Sequence, residues 1–245
     1  MRFLDLTLPT PAENLALDEA LLDEAEAALV PTETLRLWEP SSPMVVVGRS
    51  SKIAAEVHAD ACLRRGIPIL RRTSGGAAVV AGPGCLMYAL ILSCQRRPVL
   101  RAVDATHRLV LGTIARALGR WVPGVECRGI SDLALGPDGR KFSGNSIRMK
   151  RDHLLYHGTL LYDFPLEMIE ECLAMPPREP EYRSGRPHQG FVTNLPLARA
   201  AIRRALATVW DARKPCPDWP RERTAQLTAD RYLRAEWNYG AEPAG

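Results

Sequence analysis

Apolar residues at Leu15, Leu17, Leu21 and Leu22 fall among polar ones in a stretch that opens Thr-Pro, and this predicts a helix over residues 10–29. Thr10 suits the N-cap, and Pro11 suits the first helical position, where its missing N–H costs nothing. β-rich runs at 34–38 and 44–47 are split by Pro40-Ser41-Ser42-Pro43. Residues 60–66 read as a short helix ended by Gly66, and 67–70 as a strand. Strands at 77–80 and 86–92 flank the turn Gly82-Pro83-Gly84. Val103, Val110, Leu111, Ile114, Leu118 and Trp121 keep helical spacing and predict an amphipathic helix over 101–121. Strands at 133–135 and 141–149 flank Gly136-Pro137-Asp138-Gly139, and a further strand covers 153–162. Two more helices are expected at 165–173 and 197–212. This irregular, hairpin-rich order predicts an α+β fold with a mixed, largely antiparallel sheet, not a doubly wound parallel one.

Composition changes this picture little. The 245 residues suit one domain, with 46% hydrophobic and 24% charged residues. The net charge of +4, in which arginine far outnumbers lysine, does not by itself argue for nucleic acid. No apolar run reaches the ~18 residues of a membrane span. The start, Met1-Arg2-Phe3-Leu4-Asp5, has no signal-peptide core, so a cytoplasmic location is expected. Cys62, Cys85, Cys94, Cys127, Cys172 and Cys216 form no C-x-x-C pair, which removes the usual zinc and redox motifs.

Candidate chemistry concentrates in two places. Arg71-Arg72-Thr73-Ser74-Gly75-Gly76 comes directly after a strand. Arginine forks suit phosphate oxygens, and glycines let the backbone approach a ligand. The next element is a strand and not a helix, which removes the P-loop and dinucleotide readings. A tight surface turn with two solvated arginines is the plain alternative. The second place is Gly139-Arg140-Lys141-Phe142-Ser143-Gly144, returning through His157-Gly158-Thr159-Leu160-Leu161. Strand alternation puts Lys141 on one face with Ser143, Asn145 and Ile147. A lysine there can polarise a carbonyl or neutralise a phosphoryl oxygen, although most such lysines are simply solvated. At the hairpin tip, Arg148, Lys150 and Arg151 offer either a basic dock for an acidic partner or an ordinary solvated turn.

The block from Arg71 to Val79, with Gly82-Pro83-Gly84, Asp132-Leu133, the Gly139 to Gly144 run, His157 to Leu161 and Val192-Thr193-Asn194-Leu195, resembles the biotin/lipoate protein ligase family in its lipoate–protein ligase branch. Asn14 to Ala20 and Tyr232 to Tyr239 resemble it too. The resemblance implies the α+β catalytic domain of that family. It implies activation of lipoate or octanoate with ATP and Mg2+ to an acyl-adenylate. The acyl group then passes to a lysine of a lipoyl domain or glycine-cleavage H protein. By similarity Lys141 is the catalytic residue. Arg71, Arg72, Ser74, Gly75, Gly76, Ala77, Asp132, Ser143, Gly144 and His157 contact substrate or nucleotide, and Asp132 is the metal candidate.

The chain departs from the family pattern at four places. Ala77 stands where a third glycine is usual, Val80-Ala81-Gly82 replaces a Tyr/Phe-His-Asp run, Cys85 replaces asparagine, and Ser131 precedes Asp132-Leu133 in place of asparagine. The sequence closes about where longer ligases continue into an accessory domain, so the expectation is one catalytic domain over 1–245, with a separate accessory subunit as one possibility. A second reading is an ATP-independent octanoyltransferase working through a cysteine thioester, with Cys85, Cys127 or Cys172 as nucleophile. A third is an acyl-binding relative without catalysis, against which the retained Arg71, Gly75, Gly76 and Lys141 weigh.

Overall fold

Strand β1 (Arg2–Asp5) leads into the long helix α1 (Pro11–Ala27) in the computed structural model of the chain, which describes residues 1–240. Thr10 starts α1 with a capping box: its hydroxyl accepts from Glu13 N, and the Glu13 carboxylate accepts from Thr10 N at 2.8 Å. The helix is buried on more than one side. Leu17, Leu21 and Leu22 pack with Ala89, Ile91 and Leu155, while Leu15, Ala16 and Ala20 join a second cluster. That is why its apolar residues crowd together instead of marking a single stripe.

The chain continues through β2 (Thr34–Trp38), β3 (Met44–Val47), α2 (Ile53–Glu56), α3 (Ala59–Arg64), β4 (Ile69–Arg71), β5 (Val79–Ala81) and β6 (Cys85–Ser93). Then come α4 (Val103–Gly119), β7 (Val125–Arg128), β8 (Asp132–Leu135), β9 (Arg140–Met149) and β10 (His153–Leu161). The last elements are α5 (Glu167–Cys172), α6 (His188–Phe191), α7 (Arg199–Val209), β11 (Lys214–Pro215), α8 (Arg221–Leu227) and α9 (Ala235–Tyr239).

Eight strands form one sheet in the order β11-β1-β2-β6-β10-β9-β8-β7, and β4-β3-β5 form a second. Among the described strands, only the β11/β1, β1/β2 and β3/β4 pairs are parallel. The mixed, largely antiparallel α+β fold is the one the sequence predicts. One face of the large sheet carries α4 and α7, through Leu90, Leu154, Tyr156, Ile114 and Leu206. The other carries α1 and the small sheet. Central strand β10 is therefore buried from His153 to Leu161, its polar His153, His157 and Thr159 included.

The alternation expected for β9 breaks at one point. Leu133 pairs with Ser143 but Ala134 pairs with Lys141, so Phe142 is an extra residue. A bulge of this kind re-aims the side chains beside it. Phe142 packs into the α4-side core. Lys141 is turned to the opposite face, the side of Gly144 and Ser146, and away from Ser143, Asn145 and Ile147. The face expected for Lys141 from strict alternation is corrected accordingly.

Candidate active site

Lys141 is held at both ends by strands and loops that the bulge brings together. Its carbonyl accepts from Thr193 N at 2.9 Å, and Arg140 beside it donates to Val192 O at 2.7 Å. Its ammonium lies 2.8 Å from Asp132 Oδ1. Tyr182 donates to the other carboxylate oxygen, also at 2.8 Å. Gly144 lies directly under the ammonium: a Cβ there would sit 3.1 Å from Lys141 Cε and Nζ. Thr159 accepts from Gly144 N at 3.2 Å, which ties β9 to β10 at this level.

Two cavities meet at this point. The larger, about 590 Å³, is lined by the buried apolar residues Leu15, Val46 and Met87 and by the polar residues Ser131, Asp132, Asn145 and Glu181. The smaller, about 140 Å³, is walled by Val79, Val80, Leu173 and Phe191, with Glu56 and His188 among its polar groups. Ala77, Ala78, Val79, Lys141, Gly144 and Thr159 belong to both linings.

The structure thus gathers Arg72, Gly76, Ala77, Asp132, Lys141, Ser143, Gly144 and His157 around connected space. Arg71, Ser74 and Gly75 line neither cavity. The Arg71 guanidinium is committed to backbone oxygens: Nη1 donates to Gly48 O at 2.8 Å and Ser51 O at 2.9 Å, and Nε to Trp237 O at 3.0 Å. It braces the 48–51 loop against α9. Arg72 is a second brace, donating to Val46 O, Gly75 O and Ala77 O at 2.6–3.0 Å. Burial lowers its pKa to about 10, so it stays charged at neutral pH. The same loop is pinned by Arg49 N donating to Ser74 O at 2.8 Å and Ser51 Oγ donating to Gly76 O at 3.1 Å. Gly76 has φ +90 and Gly48 packs against its backbone, whereas a side chain at Gly75 would meet open space.

His157 shares a 2.6 Å hydrogen bond between its Nε2 and Ser74 Oγ. Burial first, and the Arg72 charge second, push its pKa down to about 3, so it is neutral at pH 7. The unfolded chain binds this proton between pH 6.5 and about 3 and the folded chain does not, so His157's contribution is complete above pH 6.5 and is lost as pH falls. Stability should therefore drop by about 1.4 kcal/mol per pH unit from this group within that window. Denaturation curves from pH 7 to pH 4 check this. His157→Gln should flatten the slope by about one proton, and an unchanged slope would place the acid sensitivity elsewhere.

At the hairpin tip, Lys150 pairs with Asp23 at 2.6 Å and Arg151 with Asp152 at 2.9 Å. Glu26 also accepts from the backbone of His153 at 2.9 Å. Lys150 is thus committed to Asp23, which weakens the basic dock expected from the sequence, while Arg151 stays 83% exposed beside its neighbour Asp152.

No cysteine lines either cavity among the described residues. Cys85 and Cys172 are fully buried, and desolvation raises their pKa to about 12 and about 11. Cys127 is exposed on β7, its pKa also raised by desolvation, with the Arg116 charge of α4 opposing the rise. For magnesium, Asp132 offers one carboxylate with both oxygens engaged, and no group of three His, Cys, Asp or Glu among the described residues could hold an ion. A resident metal does not fit this site. No described helix is long and apolar enough to cross a membrane.

The fold and site place the chain in a known class. It belongs to the lipoyl protein ligase A/B catalytic domain family, whose pattern matches residues 10–202. It is an enzyme of the lipoate-protein ligase and octanoyltransferase family. It is 24% identical to lipoate-protein ligase LplJ of Bacillus subtilis (strain 168), over 99% of this chain and 75% of that protein. It is 29% identical to octanoyltransferase LipM of Geobacillus kaustophilus (strain HTA426), over 71% of this chain and 70% of that one. Its fold matches a structure of a bi-partite lipoate protein ligase and its E2 lipoyl domain from Thermoplasma acidophilum, with TM-score 0.82 and 20% identity over 100% of this chain and 98% of that chain. It also matches a lipoate-protein ligase A bound with ATP, with TM-score 0.79 and 22% identity over 98% of this chain and 99% of that chain. The family resemblance read from the sequence is thereby borne out.

Residues the sequence did not assign to the site include Ala78, Glu56, Tyr182 and Asn145. Glu56 accepts from Ala78 N at 2.7 Å and so fixes the wall between the cavities. Tyr182 comes from a segment with no periodic signal, 50 residues from its partner Asp132.

Proposed function

We propose that the protein is an ATP-dependent lipoate–protein ligase. It activates lipoate or octanoate to an acyl-adenylate and passes the acyl group to a lysine of a lipoyl domain or H protein. The observation that carries this reading is Lys141 at the wall shared by two cavities of different size. In this reading an acyl chain lies against Leu15, Val46 and Met87 of the larger cavity. A flat base takes the smaller one, between Val79, Val80 and Phe191. The acyl carbonyl and the α-phosphate then lie beside the Lys141 ammonium.

Activation needs the carboxylate oxygen of the acid to attack the α-phosphorus while pyrophosphate leaves. Transfer needs the neutral amine of the acceptor lysine to attack the acyl carbon while AMP leaves with the bridging oxygen and the amine loses a proton. Both steps shift negative charge onto oxygens near one point. A fixed cation in a partly dry cavity stabilises that charge without reorganising. Magnesium enters this proposal only with the nucleotide phosphates as substrate, because the ion keeps few protein ligands in such sites. Asp132 orients Lys141, and Gly76 and Ala77 let the backbone come close to the phosphate. The ATP-bound and bi-partite structures of similar fold support nucleotide use, a lipoyl-domain acceptor and a second part of the ligase acting with this chain.

The octanoyltransferase relative and the exposure of Cys127 favour a second reading, in which a thiol carries the acyl group. Mass spectrometry of an acceptor lipoyl domain separates the two. Incubation with lipoate and ATP should acylate the acceptor, and octanoyl carrier protein without ATP should not. Cys127→Ser should keep at least about half the ATP-dependent rate, as expected of a surface change outside the site. Acylation from carrier protein that Cys127→Ser abolishes would replace the ligase reading with the transferase.

A further inference from the structure

Tyr88, Gly158 and Asn145 lie side by side across three adjacent strands, Tyr88 on β6 and Asn145 on β9 each paired with Gly158 on β10. The missing side chain at Gly158 is what lets the outer two meet. A Cβ there would lie 2.8 Å from both Asn145 Cγ and Gly144 O, and closer still to Asn145 Oδ1. Through that gap the Tyr88 hydroxyl donates to Asn145 Oδ1. Asn145 Nδ2 donates to Ser131 O at 2.8 Å and to Ser143 Oγ at 3.1 Å. These partners fix the amide orientation, because a flipped amide would set its oxygen against the Ser131 carbonyl.

The far end of this bridge is anchored. The Tyr88 ring stacks on Tyr156 at 6.5 Å, and the Tyr156 hydroxyl shares a 2.9 Å hydrogen bond with His107 Nδ1 on α4. Burial raises the Tyr88 pKa well above its usual value, so the phenol remains a donor. The near end is the β7–β8 turn, residues 129–131, where Ile130 is 75% exposed and Gly129 lies close to the Tyr182 ring. Asp132, which faces the Lys141 ammonium, is the next residue.

We propose that Asn145 is a positioning residue: suspended across Gly158 from Tyr88, it fixes the 129–131 turn and so holds the Asp132 carboxylate against Lys141. Its kinetic consequence rests on the reading of Lys141 given under the proposed function. The arrangement gives the glycine of the His157-Gly158 run a geometric reason and gives Tyr88 a part in the reaction from behind the sheet.

The test compares the full chain with Asn145→Ala, Asn145→Asp, Tyr88→Phe and Gly158→Ala. Amide hydrogen exchange over residues 130–135 reads the turn without reference to activity. It should speed up by about tenfold or more in Asn145→Ala and Asn145→Asp, which both lose the donor to Ser131 O, and less in Tyr88→Phe, given that local opening governs exchange. In the acylation assay, kcat should fall by about 10–100-fold with KM little changed, the size expected for small misplacement of a catalytic group. Adding Asn145→Ala to Lys141→Ala should slow the reaction no further, because one acts through the other. Unchanged exchange in the Asn145 variants overturns the proposal, as does full additivity with Lys141→Ala. Should Gly158→Ala misfold, Tyr88→Phe, which keeps ring and volume, covers that case. A wild-type chain that acylates from neither source sinks the ligase reading, while the exchange result still decides the bridge.

Discussion

Lys141→Ala is expected to lower acyl-adenylate formation by about 10²–10³-fold, the usual loss for one preorganised charge at an oxyanion. The fold should survive. Lys141 makes one ion pair, with its side chain 27% exposed, and Asp132 keeps its hydrogen bond from Tyr182 when the lysine is gone. A part-exposed pair of this kind is worth at most about 1 kcal/mol. Lys141→Arg should recover little, because the space beside Gly144 is already too tight for a Cβ, which would sit 3.1 Å from Nζ, and a planar fork is bulkier than an ammonium. Pyrophosphate exchange with lipoate and ATP, beside a thermal melt, measures both effects. Wild-type exchange in the alanine variant would remove Lys141 from the reaction. A lost fold would make it structural.

Much of this site was legible in the chain because its signals are local. Thr10-Pro11 marks the start of α1, and the structure begins the helix at Pro11. The run 34–38 is β2 with the same bounds. Leu197 to Ala212 shortens to α7, Arg199–Val209, since Ala198 keeps extended geometry. Periodicity fails where one residue is inserted: nothing in Lys141-Phe142-Ser143 announces a bulge, so the side on which Lys141 emerges depended on β8. It also fails for strands that exist only through distant partners. Arg2–Asp5 and Lys214–Pro215 pair with each other although more than 200 residues apart, and neither is long enough to show alternation. The division into two sheets was hidden for the same reason, because β3 and β5 look like any other strands until their neighbours are known.

The arginine pair shows how residue type can point to the right place with a different role. Arg71 and Arg72 suit phosphate by chemistry, yet in the fold their donors face carbonyl oxygens. The loop after them has few internal hydrogen bonds, and a tight approach to Gly48 leaves no room for a side chain to support it. Buried guanidinium groups supply several donors in fixed directions, which a short glycine-rich loop cannot supply for itself. Binding at this loop then depends on arginines that need not touch the ligand.

Arg72→Met should therefore cost stability before it costs affinity. It removes the donors to Val46 O and Ala77 O, while Gly75 O keeps its 2.8 Å hydrogen bond from Ser146 Oγ. The buried hydrogen bond to Val46 O, made by a charged donor, is the costly loss at about 1.5–3 kcal/mol, and the part-buried one to Ala77 O adds less, so the loss should be about 2–4 kcal/mol. Arg72→Lys should recover only part, because a point charge cannot face Val46 and Ala77 together. Gly76 and Ala77 line the larger cavity, so the loosened loop should also weaken nucleotide-dependent activity. Urea denaturation gives the first effect and ATP binding at a temperature where the variant is folded gives the second. A variant that unfolds at the wild-type midpoint yet no longer binds ATP would make Arg72 a ligand contact and not a brace.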